Sequence, residues 1–269
     1  MESNFKISII TVCRNSEKTI ARTIESLLKQ KVAFEYVVID GASTDNTMDV
    51  VNNYKPFLEK KGNRVLVISE RDFGIYDAMN KGVKLCSGEI IGILNSDDFY
   101  EENTLHLIEN AMNVHTNVDI FYGLLRVVME DGMELQVYRY VYENYLGKIG
   151  LGCESAAQHP TCFVRRSLYE RIGSFDTSFP TAADYDFLLR AKLFGAKFFG
   201  QNVVFTNFSN TGISNQISNY HKIEQRYKIH LKHNLISTEE FNQFLKYETY
   251  TRIKGLKLKF FEYLFGKIR

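Results

Sequence analysis

Two adjacent carboxylates, Asp97-Asp98, stand just after the apolar run Glu89–Leu94 (EIIGIL). Close carboxylates repel, so such a pair needs a neighbouring cation or a raised pKa. Hard oxygen ligands suit Mg2+ or Mn2+, and an ion held by one or two carboxylates completes its shell with water and substrate phosphates. The plainer reading is compensation of a helix dipole, because a helical pattern starts shortly afterwards. Asp40 closes another apolar run and can accept hydrogen bonds from a base or ribose, or it can simply open an Asp-Gly turn. Asp184 and Asp186 begin a helical stretch. A carboxylate there can act as a general base, and it can equally serve the helix dipole. Asp72 precedes Gly74–Gly82 (GIYDAMNKG), in which Asn80 and Lys81 share a face with Tyr76 and Asp77. That face is either a ligand surface or a solvated one. His159, in Gln158-His159-Pro160, either lines a pocket or is structural.

These residues must be held by a framework, and the first hundred residues supply a regular one. Lys6–Cys13, Phe34–Asp40, Arg64–Ser69 and Glu89–Leu94 read as strands. Ser16–Gln30, Asp45–Tyr54, Ile75–Leu85 and Glu101–Val114 read as the helices between and after them, with Ser43-Thr44-Asp45 as capping side chains. This rhythm implies an α/β fold with a mostly parallel sheet flanked by helices. Ligands on such sheets bind beyond the carboxyl ends of the strands. The turns that fall there are Thr11–Asn15, Asp40–Asp45, Glu70–Gly74 and Asn95–Asp98, and each carries charge.

The second half differs. Asp119–Met129 and Glu134–Val141 read as antiparallel strands about an Asp131-Gly132 turn. Gly147–Pro160 is irregular, and Thr161–Val164 and Lys197–Thr206 read as strands. Ser167–Ile172 and Ala183–Phe194 read as helices, and a polar linker from Asn207 leads to helical patterns over His221–Asn234 and Thr238–Arg269.

Composition narrows the field. The chain has 269 residues, 45% hydrophobic and 24% charged, enough for a substantial core. Its net charge of +1 argues against a broadly basic nucleic-acid binder. Cys13, Cys86, Cys153 and Cys162 are widely spaced and form no zinc or disulfide pattern, which fits a reducing, cytoplasmic setting. No run is apolar enough to span a bilayer, and the N-terminus lacks signal-peptide character. The first turn has no glycine, which disfavours dinucleotide-dependent dehydrogenases, and no phosphate-loop signature occurs.

The segments Ile7–Asn15, Val37–Asp45, Ser69–Gly82, Gly88–Asp98, His159–Asp176 and Ala182–Arg190, in this order, resemble glycosyltransferase family 2, of the GT-A fold. The likeness runs over about residues 5–206 and is nearest to bacterial enzymes of surface-polysaccharide (colanic-acid-type) assembly. It implies a catalytic domain over 1–206, with a nucleotide-sugar half to about 100 and an acceptor half from about 101, followed by a linker and tail over 207–269. It also implies an inverting transfer from a nucleotide-diphosphate sugar, UDP-linked by family frequency, to a glycan or lipid-linked saccharide. The donor contacts it implies are Thr11, Arg14, Asn15, Asp40, Ser43, Asp72, Tyr76, Asp77, Asn80, Lys81, Asn95 and Ser96. The metal ligand would be Asp97, with Asp98 as helper, because the first acid of the family's D-x-D is Asn95 here. The family's Glu-Asp pair appears as Ala183-Asp184, which makes Asp184 the base, with His159 and Asp186 on the acceptor side.

The charge is unevenly divided. Residues 221–269 carry a net +6 and residues 1–220 a net −5. The stretch 251–269 is basic and aromatic, with an apolar helical side that lysines interrupt. It suits contact with an anionic inner-leaflet surface, or packing against the catalytic domain or a second copy of the chain. Two other functions compete with the transferase: a catalytically decayed sugar-nucleotide-binding protein, suggested by Asn95 and Ala183, and a nucleotidyltransferase, which would want a glycine-rich phosphate loop.

Overall fold

The strands β1 (Ile7–Cys13) and β2 (Glu35–Asp40) are buried along their whole length. Their continuous apolar runs suit strands covered on both faces. β3 (Arg64–Ser69) is partly exposed and forms the edge. β4 (Ile90–Ile93) is fully buried on the other side of β1. The computed structural model describes residues 5–129, 134–138, 157–210 and 219–253. Among them one sheet runs in the order β3-β2-β1-β4-β8-β6-β9-β5, with β7 paired to β6. The remaining strands are β5 (Phe99–Tyr100), β6 (Ile120–Val128), β7 (Glu134–Tyr138), β8 (Phe163–Arg165) and β9 (Phe198–Ser209).

The four strands β3-β2-β1-β4 are all parallel, as the alternating sequence pattern requires. β8 is antiparallel to both β4 and β6, β6 is parallel to β9, and β5 is antiparallel to β9. The helices α1 (Ile20–Leu28), α2 (Thr47–Lys60), α3 (Ile75–Leu85) and α4 (Thr104–Val114) follow the first strands. α5 (Arg166–Ile172) and α6 (Ala183–Leu193) belong to the second half. The strand order reverses between β1 and β4, and a cleft at the carboxyl ends of the strands belongs at such a switch. The opposite end of the sheet is closed by Glu35. Its buried carboxylate accepts bonds from Ser8 Oγ (2.6 Å), Ser87 N (2.7 Å), Ser87 Oγ (2.9 Å) and Arg64 Nη1 (3.2 Å).

Some boundaries differ from the sequence reading. α2 continues through Pro56 to Lys60, whereas the pattern alone ended it at Tyr54. The residue before a proline is biased away from helix, but here Val51 and Leu58 bury on either side of Pro56 and hold the helix together. β9 runs to Ser209, and the two-residue β5 is too short to leave a periodic signal. β6 and β7 pair antiparallel as expected. The Asp131-Gly132 turn, Cys153 and the basic stretch from residue 254 lie outside the described residues.

The described residues fall into two compact units, one holding residues 5–129, 134–138 and 157–210, the other holding 219–253. The second contains α7 (Asn219–Lys232) and α8 (Thr238–Ile253). Ser237 caps α8 reciprocally with Glu240: Ser237 Oγ accepts from Glu240 N at 3.1 Å, and the Glu240 carboxylate accepts from Ser237 N at 2.7 Å. Among the described residues no helix is long and apolar enough to cross a membrane.

His230 is buried in this unit. Burial, reinforced by the positive charges of His233 and Arg226, pushes its pKa down from 6.5 to about 4. In the interval between those values the unfolded chain takes up a proton that the folded chain refuses, so His230 costs stability as pH falls through that window. The unit is therefore expected to melt at lower temperature at pH 5 than at pH 7, and His230→Phe is expected to shrink that difference. Circular dichroism melts at the two pH values measure it.

Candidate active site

The turns after β1 and β2 are stitched into one floor. Asn15 takes a left-handed conformation (φ 52°), and its amide oxygen accepts from Thr44 N at 2.9 Å. Asn15 N donates to Ser43 Oγ at 2.8 Å. Ser16 N donates to Thr47 Oγ1 at 2.7 Å, and Glu17 N to Asp45 Oδ2 at 3.1 Å. The Ser16 and Ser96 hydroxyls meet at 2.9 Å, joining the turn after β1 to the turn after β4 across the switch point. Asp40 lies beneath, fully buried, accepting from Ser43 N (3.0 Å), Ser69 Oγ (2.6 Å) and the Ser43 hydroxyl. The Cys13 thiol donates to Asp40 Oδ1 as well, at 3.7 Å, so donors within the protein engage about all four acceptor positions of the carboxylate. Asp72 closes over this floor. A Cβ on Gly41 would sit 2.3 Å from Asp72 Oδ2, so only glycine permits that approach. Asp72 Oδ1 accepts from Gly74 N at 2.9 Å, and Gly74 starts α3 with φ 116°, a conformation glycine tolerates.

The two acids after β4 have separate fates. Asp98 is fully buried. Its Oδ1 accepts from Ser209 N at 3.0 Å, and its Oδ2 from Asn95 Nδ2 at 3.4 Å. Burial, and then repulsion from Asp97, raises its carboxyl well above the ordinary range, against the pull of those bonds. Asp97 is half-buried. Burial raises it too, opposed by a backbone hydrogen bond and by Arg22. Arg22 stacks over the Phe99 ring at 4.6 Å and donates to the Asp97 carbonyl at 3.1 Å. The amide that donates to Asp98 leaves Asn95 Oδ1 as a buried oxygen with no hydrogen-bond partner.

A divalent cation fits this arrangement. An orphaned amide oxygen, a half-exposed carboxylate two residues on, and repulsion within the pair are the features a hard cation relieves. Among the described residues no group of three or more His, Cys, Asp or Glu side chains is arranged to hold a metal. Asn95 and Asp97 would therefore leave most of an ion's shell to water and to oxygens of a bound ligand.

A third cluster gathers at the start of α6. The half-buried Asp184 accepts from the Tyr76 phenol and from Tyr185 N, both at Oδ1 and both at 2.9 Å. Its Oδ2 has no hydrogen-bond partner among the described residues. Burial, followed by the charge of Asp184, holds the Tyr76 phenol well above its usual range, so it stays a donor. His159 lies in the turn before β8. Burial lowers its pKa while nearby Asp184 opposes, leaving the imidazole neutral at neutral pH. Phe175 packs between these groups, with its ring 5.7 Å from Tyr76 and 5.3 Å from His159.

The family model described as "Glycosyl transferase family 2" matches residues 8–173, more than half of the chain. The chain belongs to glycosyl transferase family 2. It is a glycosyltransferase, with the α/β architecture that the sequence implied. It is 32% identical over 190 residues to a PGL/p-HBAD biosynthesis glycosyltransferase of Mycobacterium bovis, covering 68% of each chain. It is also 32% identical over 155 residues to an Escherichia coli UDP-Glc:alpha-D-GlcNAc-diphosphoundecaprenol beta-1,3-glucosyltransferase, covering 56% of this chain and 58% of that one. The fold is similar to that of S. aureus TarS 1-349 in complex with UDP-GlcNAc (TM-score 0.64, 23% identity, 83% of this chain, 64% of that chain). It is similar too to a mannosyltransferase from Pyrobaculum calidifontis in complex with GDP-Man and Mn2+ (TM-score 0.64, 17% identity, 88% of this chain, 66% of that chain).

Within this family 2 transferase the expected donor residues divide into two groups. Arg14 and Asn15 are exposed on the turn after β1, and Ser43, Asp72 and Ser96 belong to the neighbouring turns at the same end of the sheet. Others have structural tasks that the sequence did not reveal. Thr11 is fully buried and faces the Tyr36 phenol. Asp77 accepts from Phe73 N at 3.1 Å. Lys81 is tied to Glu70 (2.9 Å), Asp77 (3.5 Å) and the Arg71 carbonyl (2.8 Å). Asn80 brackets the Phe175 backbone, donating to its carbonyl at 2.8 Å and accepting from its N–H at 2.9 Å. Asp186, expected on the acceptor side, is fully buried and paired with Arg190 (2.7 Å), whose guanidinium also ties down the carbonyls of Ile172 and Ser174. Sequence reading missed Ser209, Ser69 and Arg22. Only Ser69, a polar residue closing a strand at the ligand edge, left a local signal.

Proposed function

We propose that the chain is an inverting, metal-dependent transferase that moves a sugar from a UDP-sugar to a hydroxyl of a glycan or lipid-linked saccharide, in surface-polysaccharide assembly on the cytoplasmic side of the membrane. The observation that carries this reading is Asp184, a half-exposed carboxylate with one oxygen fixed by two donors and the other left to accept a proton. The donor class is supported by the nucleotide floor, by the printed activity of the E. coli relative and by the UDP-GlcNAc bound to TarS.

In the proposed reaction the acceptor hydroxyl gives its proton to Asp184 as its oxygen attacks the anomeric carbon. The new C–O bond forms as the bond to the diphosphate breaks on the opposite face, and the nucleoside diphosphate departs. Asn95 and Asp97 would hold Mn2+ or Mg2+, which supplies positive charge where negative charge develops on the leaving diphosphate. Asp72 and the stitched turns that Asp40 braces from beneath hold the nucleoside, and orientation of the two reactants supplies much of the rate.

Incubation with a panel of nucleotide sugars and Mn2+, with analysis of the nucleotide released and of the anomeric configuration of any product, tests this reading. A UDP-sugar giving UDP and an inverted linkage is expected; a retained linkage, or no release from any donor, would count against it. Gly41→Ala should drive Asp72 off the floor and weaken UDP binding about tenfold or more, the scale of an overpacked contact. Calorimetric titration with UDP measures that.

A further inference from the structure

We propose that Tyr76 is a positioning residue for the base, its phenol fixing the plane of the Asp184 carboxylate and leaving Oδ2 as the oxygen that takes the proton. This rests on the reading of Asp184 as base. Tyr76 sits in the first turn of α3, 108 residues from Asp184, and its sequence context suggested a donor contact. The ring is buried against Phe175, and Phe175 in turn packs against Phe187 at 5.3 Å. A phenylalanine would pack there equally well. A buried hydroxyl is costly unless bonded, and the bond that this one donates goes to Asp184.

The geometry suits orientation. Two donors converge on Oδ1, Tyr76 Oη from α3 and the N–H of Tyr185, the next residue in the helix that carries Asp184, each at 2.9 Å. A carboxylate held only by the neighbouring backbone amide can swivel about its Cβ–Cγ bond; a second donor from α3 opposes that. A base directed by a third group is a recurring arrangement in proton-transfer sites. The support extends outward, because Asn80, one turn along α3, brackets the Phe175 backbone and so fixes α3 against the segment leading to α6.

The test is a cycle of Tyr76→Phe and Asp184→Asn in the full chain. Tyr76→Phe is expected to lower kcat about ten- to hundredfold, the scale of one hydrogen bond to a charged group. The donor KM and the UDP affinity should stay within about twofold, whereas a merely structural lesion in α3 would move both. In the Asp184→Asn background the same substitution should change the residual rate by less than about twofold. Near-normal kcat in Tyr76→Phe beside an inactive Asp184→Asn overturns this inference alone. Full activity in Asp184→Asn overturns the base reading and this inference with it. An equal loss from Tyr76→Phe in both backgrounds also overturns it. Should Tyr76→Phe fold poorly, proton NMR provides the second measurement. A slowly exchanging Tyr76 phenolic proton is expected in the wild type and should vanish in Asp184→Ala. Its absence from the wild type overturns the proposal.

Discussion

Asp184→Asn is expected to abolish sugar transfer while leaving UDP binding intact. Asparagine keeps the volume of the side chain, and its Oδ1 can still accept from the Tyr76 phenol and Tyr185 N. The substitution therefore removes the proton-accepting oxygen without disturbing the start of α6. General-base contributions run to about 10²–10⁴ in rate, and a loss of that size in kcat is expected here. UDP binding should persist because the stitched turns proposed to hold the nucleoside follow β1, β2 and β4, away from α6 in the sequence. Product formation and calorimetric UDP titration, run on the same preparation, check both halves. Transfer at the wild-type rate would remove Asp184 from the mechanism.

The second large effect concerns the acids after β4, and the structure separates them. Asp97→Asn is expected to reduce transfer about a hundredfold or more, with little change in melting temperature, because its carboxylate is half-exposed. Asp98→Ala is expected instead to destabilise the fold by about 1–3 kcal/mol, since it strips the Ser209 N–H of its buried partner. Chelation should silence the wild type, and added Mn2+ or Mg2+ should restore it, whereas neither ion should restore Asp97→Asn. Denaturant melts and rate assays before and after chelation distinguish these outcomes. Undiminished transfer after thorough metal removal would exclude the cation role of Asn95 and Asp97.

Much of the fold was readable in advance because it depends on local pattern. β1 and β2 announce themselves as unbroken apolar runs, and the alternation of strands and helices requires a parallel sheet with its polar turns at one edge. The residues at that edge could be named from position alone. What could not be read was the work each polar side chain does. Tyr76, Asp77, Asn80 and Lys81 share a helical face, which suggested one ligand surface. Instead Asp77 and Lys81 brace their own loop, while Tyr76 and Asn80 reach residues about a hundred positions away. The split of Asp97 from Asp98 was equally hidden, because Ser209 lies 111 residues further on. Hydrogen bonds across such separations leave no periodicity to detect. The helical reading of α2 failed at Pro56 for the opposite reason: a strong local rule was overridden by burial of Val51 and Leu58.

The bond from Ser209 to Asp98 also bears on the order in which the enzyme is made. Chains fold as they emerge, amino end first, and contacts that close long loops form late. β3-β2-β1-β4 can assemble once the first hundred residues have emerged. β5 and Asp98, by contrast, wait for β9 to supply its partner groups at Phe205, Asn207 and Ser209. The stitched turns after β1 and β2 are thus laid down before β9 locks the turn after β4. A half-made chain has the interlocked turns of its first two strands ahead of a fixed Asp97-Asp98 corner.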